Sequence, residues 1–233
     1  MEFSAPVTFF VGENGSGKST LMESMAIGME ATTIGTHDIR DDPTLAAVRQ
    51  LGDALRFVHN RRPKRGFFFR AEDAFGFTNR LIRERQELLD EERSLAEGIK
   101  GSGAEEAAAV VRAQRMQMEH RYGAEPDARS HGESFLHVLE ERIVPSGLYL
   151  LDEPETPLSP MRQLALISLI KHMVKQDCQF IIATHSPILM AFPQARILLF
   201  ENDVVRQIEY DEIEHVSITR AFLNNPEQIL RHL

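Results

Sequence analysis

Gly12-Glu13-Asn14-Gly15-Ser16-Gly17-Lys18-Ser19 is the stretch on which the reading of this chain turns. It follows an apolar run, Val7-Thr8-Phe9-Phe10-Val11, and precedes Thr20-Leu21-Met22-Glu23-Ser24-Met25-Ala26-Ile27, which has helical spacing. A buried strand stops, a glycine-rich turn follows, and a helix begins with its free N–H groups facing the turn. Phosphate oxygens fit such a concavity, because backbone donors and the positive end of the helix dipole converge on it. The glycines let the backbone turn tightly and approach phosphates with no Cβ in the way. Lys18 can reach the β- and γ-phosphates, the Ser19 hydroxyl can ligate Mg²⁺, and Glu13, Asn14, Ser16 and Thr20 complete the cradle. A chance glycine turn has no reason to sit between a strand and a helix, so the stretch reads as a phosphate-binding loop.

The 233 residues suffice for one sizeable core, and a composition of 42% hydrophobic and 26% charged residues is that of a soluble globular chain. No apolar run approaches the ~18 residues that cross a bilayer, and the first residues lack a signal-peptide pattern. A single cysteine, Cys178, excludes an internal disulfide and fits a reducing cytoplasm; its place before an apolar strand makes it a structural thiol. The net charge of −9 speaks against broad nucleic-acid binding through a positive field. The local basic cluster Arg61-Arg62-Pro63-Lys64-Arg65 cuts the other way but reads better as a solvated loop.

Further apolar runs alternate with helical patterns. Leu55–Val58 is a short candidate strand, and Gly66–Arg70 a buried one. Helices are expected over Thr78–Lys100 and Ala104–Tyr122, separated by Gly101 and Gly103. Leu81, Leu88 and Leu95 recur every seven residues, yet Arg85 and Glu92 interrupt the seam, so the pair reads as a short arm or lid. Arg196–Phe200 and Val204–Tyr210 form a hairpin turning at Asn202-Asp203, and the helical end of the chain breaks at Asn225-Pro226. The expected fold is α/β: a P-loop NTPase with a mostly parallel sheet flanked by helices, a helical subdomain at about 71–146 and a C-terminal hairpin, all in one domain spanning 1–233. In such sheets ligands sit beyond the carboxyl ends of the strands.

Leu148-Tyr149-Leu150-Leu151-Asp152-Glu153 is an apolar strand ending in two carboxylates that point in different directions. Asp152 suits the Mg²⁺ shell, and Glu153 suits a general base that polarises the attacking water. One strand later, His185 again stands at a strand end. Alone it would read as a capping or packing residue; with Lys18 and the carboxylate pair it becomes a γ-phosphate sensor.

Gly12–Ser19, Ser130-His131-Gly132-Glu133, Leu148–Glu153 and Thr184-His185-Ser186-Pro187 occur in the order seen in ABC-type ATPases. The chain resembles their soluble, AAA-labelled branch, akin to SMC-like repair ATPases. The resemblance implies that Ser130, Gly132 and Glu133 form a signature motif contacting ATP held by a second copy, giving an ATP-sandwiched homodimer. It also implies ATP and Mg²⁺ as ligands, ATP hydrolysis as the activity, and a role in a partner process such as DNA repair or defence. The signature reads Ser-His-Gly-Glu-Ser and not Leu-Ser-Gly-Gly-Gln, which disfavours the alternative of a transporter's nucleotide-binding subunit. A non-hydrolysing, ATP-dependent interaction module is the other alternative, disfavoured by Glu153. The glutamine expected after Phe67–Phe69 is missing, and Glu72 is the nearest substitute for contacting the metal or water. The upstream strand that carries an adenine-stacking aromatic in that family has no room here unless Phe3 substitutes, so the preference for adenine rests on the resemblance and on no named residue.

Overall fold

The computed structural model describes residues 1–33, 46–61, 63–98, 102–122 and 131–231, with backbone only at 72–75, 77–81, 96–98, 102–104, 120–122 and 131–134. The first apolar run is strand β1 (Val7–Val11), and the helix after the glycine turn is α1 (Lys18–Gly28). Then come β2 (Thr32–Thr33), α2 (Ala46–Ala54), β3 (Gly66–Arg70), α3 (Ala71–Gly98), α4 (Ser102–Tyr122) and α5 (His131–Arg142). The second half runs β4 (Leu148–Asp152), α6 (Pro160–Val174), β5 (Gln179–Ala183), α7 (Pro187–Met190), β6 (Arg196–Glu201) and β7 (Val204–Gln207). Helices α8 (Glu214–Asn224) and α9 (Pro226–Leu230) close it.

Among the described residues the strands form one seven-stranded sheet in the order β2-β3-β4-β5-β1-β6-β7. Every pairing is parallel except β6–β7. This is the P-loop NTPase fold, with β1 in the interior and β5 inserted between β1 and β4. Central strands buried on both faces must be apolar at nearly every position, which is why they stood out as continuous runs. Alternation divides them between two cores. Phe9, Phe69, Tyr149, Leu151 and Ile182 face α5, α6 and α8, while Phe10, Phe68, Leu150 and Ile181 face α1. The first face is aromatic, with Phe67–Tyr149 and Phe69–Phe135 ring centroids 4.8 and 4.5 Å apart.

The hairpin forms as expected. Asn202 and Asp203 both take positive φ, 50° and 61°, as a tight turn matched to strand twist requires. The arm is also present. Arg85 pairs with Glu119 at 3.2 Å, and Glu92 accepts from both Arg112 (2.6 Å) and Arg115 (3.0 Å). The residues that interrupt the leucine seam thus carry the ion pairs joining α3 to α4. Three expectations about local structure need correction. Leu55–Val58 is not a strand; Leu55 and Phe57 pack toward α1 from irregular backbone. Helix α3 starts directly after β3 at Ala71, seven residues before Thr78. The sequence pattern predicts a turn over 129–133 opening a helix at Ser134, but helix α5 starts at His131, so Gly132 and Glu133 lie in its first turn.

Candidate functional site

The turn after β1 has the geometry its glycines demand. Gly12 has φ 143°, and a Cβ there would stand 2.3 Å from the Phe200 carbonyl oxygen. Gly17 caps α1 in the left-handed region, with φ 92°. Both positions therefore favour glycine, one by contact as well as conformation. Lys18 is buried and folds back over the loop, donating from Nζ to the Gly12 and Glu13 carbonyl oxygens at 2.8 Å each. Burial lowers its pKa, and Glu153, Asp152 and Glu13 oppose that shift in decreasing order. The same charges are the groups a nucleotide phosphate would meet.

β4 delivers the two carboxylates differently. Asp152 is 7% exposed, and its Oδ1 is buried with no hydrogen-bond partner. Burial pushes its pKa up to about 7, against the opposing influence of the Ser19 hydroxyl. An unpartnered buried carboxylate oxygen beside a hydroxyl, facing a phosphate cradle, fits Mg²⁺, which takes few protein oxygens and keeps phosphate and water ligands. Among the described residues no cluster of three or more His, Cys, Asp or Glu could hold a metal by itself.

Glu153 leaves the strand with φ 50°, a conformation that costs a non-glycine residue about 1–2 kcal/mol. Its N–H donates to the Ala183 carbonyl at 2.9 Å, and its own carbonyl accepts from Thr156 N at 3.1 Å. The turn swings the carboxylate away from Asp152 and toward β5, where Glu153 Oε1 lies 3.8 Å from His185 Nε2.

His185 follows β5. Burial lowers its pKa, as does Lys18, so the ring is neutral at physiological pH. Its backbone N–H donates to Glu155 Oε1 at 2.7 Å, while its Nε2 is shielded without a hydrogen-bond partner. Ser186 caps α7, accepting from Ile188 N and Leu189 N at 3.2 Å, with Pro187 in the first turn. Lys18, Ser19, Asp152, Glu153 and His185 therefore converge from the carboxyl ends of β1, β4 and β5.

The remaining expected residues are placed less fully. Ser130 lies outside the described residues. Gly132 and Glu133 are placed by backbone in the first turn of α5, and Glu72 by backbone in the first turn of α3. Phe3 is committed elsewhere. Its ring packs on Phe10, centroids 6.1 Å apart, and its carbonyl accepts from Gln179 Nε2 at the amino end of β5, opposite the loop. Two residues escaped the sequence reading, Glu155 and His215. Glu155 carried a faint signal, a carboxylate two positions after Glu153; His215 carried none.

A family model described as an AAA domain matches residues 1–101. Another, described as "AAA domain, putative AbiEii toxin, Type IV TA system", matches 134–191. This is a P-loop ATPase-like chain. The two matches fall on the phosphate-loop half and on the half carrying Asp152, Glu153 and His185. No curated protein matches this ATPase-like chain. Similar solved structures include cbiO1 from Clostridium perfringens, part of the ABC transporter complex cbiONQ, at 19% identity and TM-score 0.41, covering 100% of this chain and 90% of that one. The ATP-binding cassette MJ0796, as a dimer in a post-hydrolysis state bound to ADP and Pi, is 18% identical at TM-score 0.44, covering 91% of this chain and 89% of that one. Among the described residues no helix is long and apolar enough to cross a membrane.

Proposed function

We propose that this chain hydrolyses ATP and uses a nucleotide-closed homodimer as a conformational switch for a partner process. The observation that carries the reading is the strained Glu153, turned from Asp152 toward His185 at the end of the phosphate loop's own sheet. Gly12–Thr20 would hold the phosphates through backbone N–H groups, and Lys18 would exchange its two loop carbonyls for β- and γ-phosphate oxygens. Ser19 and Asp152 would hold Mg²⁺, with Glu72 near it; when bound, the ion neutralises phosphate charge and aligns the γ-phosphoryl for transfer. Glu153 would accept a proton from the attacking water, and neutral His185 would donate to a γ-phosphate oxygen. The loop donors, Lys18 and the α1 dipole would stabilise charge on the transferring phosphoryl without moving during the step.

Ser130, Gly132 and Glu133 would serve the second copy. The first turn of α5, a helix of 12 residues, has free N–H groups suited to a γ-phosphate held across a twofold interface. The single-domain organisation, with the α3–α4 arm between the two site halves, would let the arm carry the closure outward. ATP hydrolysis is to be measured against protein concentration for wild type and Glu153→Gln, with dimerisation followed in the same samples. The expected result is turnover that rises with concentration, and a mutant that binds ATP and dimerises while turning over at least ~100-fold more slowly. A Glu153→Gln protein that turns over at the wild-type rate removes Glu153 from the reaction.

A further inference from the structure

The chain leaving β5 is anchored on both sides of His185. Thr184 N–H donates to the Phe10 carbonyl of β1 at 3.2 Å, and the buried Thr184 Oγ1 accepts from Ser186 N–H at 3.0 Å. Tyr210 then donates its hydroxyl hydrogen to the Pro187 carbonyl at 3.0 Å. The His185 imidazole has looser neighbours. Glu153 Oε1 stands 3.8 Å from its Nε2, beyond hydrogen-bond range, and the His215 ring centroid on α8 is 6.3 Å from its own. Its Nε2 has no hydrogen-bond partner among the described residues, so the backbone must set where the ring stands.

That backbone is bonded by a side chain from another strand end. The His185 N–H donates to Glu155 Oε1 at 2.7 Å, across thirty residues of sequence. Glu155 itself belongs to a fixed turn. The Glu153 carbonyl accepts from Thr156 N at 3.1 Å and the Glu155 carbonyl from Leu158 N at 2.8 Å, two overlapping turns that end on Leu158 in the core.

The same turn is tied to the His185 segment at two further points. Glu153 N–H donates to the Ala183 carbonyl at 2.9 Å. Gln163 of α6 bridges the far end, donating from Nε2 to the Leu158 carbonyl at 3.1 Å and accepting from Ser186 Oγ at 2.6 Å. Glu155 therefore presents its oxygen from a frame that cannot drift from β5. Burial pushes the Glu155 carboxyl up from its ordinary pKa, and the His185 N–H opposes that shift. Its surroundings disfavour charge, so its use here is as a placed oxygen.

We propose that Glu155 is a positioning residue: by accepting from the His185 N–H it fixes the peptide plane that aims the His185 imidazole at Glu153 and at the γ-phosphate of bound ATP. This rests on the ATPase reading given above. Without the acceptor a part-buried N–H is left unpaired, and the peptide turns toward another partner. Misplacing a group by about 1 Å costs on the order of 100-fold in rate, so this bond bears on turnover although Glu155 touches no reacting atom.

Three substitutions separate this role from direct chemistry and from packing. Glu155→Gln keeps an oxygen at the Oε1 position without the charge, Glu155→Asp keeps the charge but draws the oxygen back by a methylene, and Glu155→Ala removes both. For each folded variant we would measure ATP turnover, alone and with His185→Ala, and the hydrogen-exchange rate of the His185 amide by NMR. We expect Glu155→Asp and Glu155→Ala to lose roughly 10- to 100-fold in kcat, with KM for ATP changed less than about threefold. Their His185 amide should exchange at least ~10-fold faster, while Glu155→Gln stays within about threefold of wild type in both measurements. Combined with His185→Ala, none should slow turnover further by more than about twofold, because Glu155 acts through His185. A general base or metal ligand needs the charge, so a Glu155→Gln slower than Glu155→Asp overturns the proposal. Losses that multiply with His185→Ala overturn it too, as does a folded Glu155→Asp within twofold of wild type; neither result depends on Glu155→Ala folding. Wild type without ATP turnover overturns the ATPase reading and this role with it; normal wild-type turnover with unaffected variants overturns this role alone.

Discussion

Asp152→Asn should make the nucleotide-free protein more stable while destroying its response to Mg²⁺. The carboxyl rises from 3.8 to about 7 because burial disfavours its charge, with Glu153 and Glu23 adding repulsion. A folded-state pKa above the unfolded one means that the folded protein binds the extra proton, so stability falls as pH rises between the two values. The shift is roughly three units at ~1.4 kcal/mol each, an upper bound of about 4 kcal/mol for the cost of ionised Asp152 above pH 7. Asparagine keeps the shape of the side chain and carries no charge. His185 and His215 have lowered pKa values, and their contributions run the opposite way, gaining stability as pH rises through the range of free histidine. The difference between mutant and wild type cancels them. Urea unfolding in EDTA from pH 4 to pH 9 should give coincident curves at pH 4 and a mutant more stable by a few kcal/mol at pH 8. Adding Mg²⁺ and a non-hydrolysable ATP analogue should then raise wild type well above the mutant. A mutant less stable than wild type at pH 8 without metal would show that Asp152 is not held as an unpaired buried carboxyl, and the metal-site reasoning would fall with it.

Two further substitutions probe the loop itself. Lys18→Ala should weaken ATP binding at least ~10-fold by calorimetry while moving the unfolding midpoint by only a few degrees, since burying the ammonium offsets its bonds to Gly12 and Glu13; unchanged affinity would refute the phosphate role. Gly12→Ala should destabilise by roughly 2–4 kcal/mol in urea, because the new Cβ meets the Phe200 carbonyl at 2.3 Å and φ is 143°; a loss under about 0.5 kcal/mol would mean that the β1–β6 seam yields.

What the sequence disclosed and what it hid follow from how far each signal reaches along the chain. The phosphate loop, β3, β4, β5 and the hairpin turn at Asn202-Asp203 were legible because each is decided within about eight residues, by burial on both faces or by a required positive φ. Leu55–Val58 shows how such a signal misleads. Leu55 and Phe57 do alternate inward with exposed Arg56 and Val58, as a strand would. What the alternation buries, however, is a contact with α1: Phe57 lies so close to Gly28 that a Cβ there would stand 2.6 Å from its ring. Periodicity reports burial and not hydrogen-bonding partners, so the inward face was right and the strand was wrong. The site divides in the same way. Lys18, Asp152, Glu153 and His185 announce themselves at the ends of apolar runs, because β1, β4 and β5 both bury the run and aim its last residue. His215 has no such run before it; it is one histidine in a polar helix, about thirty residues after His185. Its relevance exists only once Ile213 and Val216 are packed and Tyr210 has bonded Pro187. A residue brought beside another only by tertiary packing needs no motif of its own, which is why the neighbours of His185 had to be found in three dimensions.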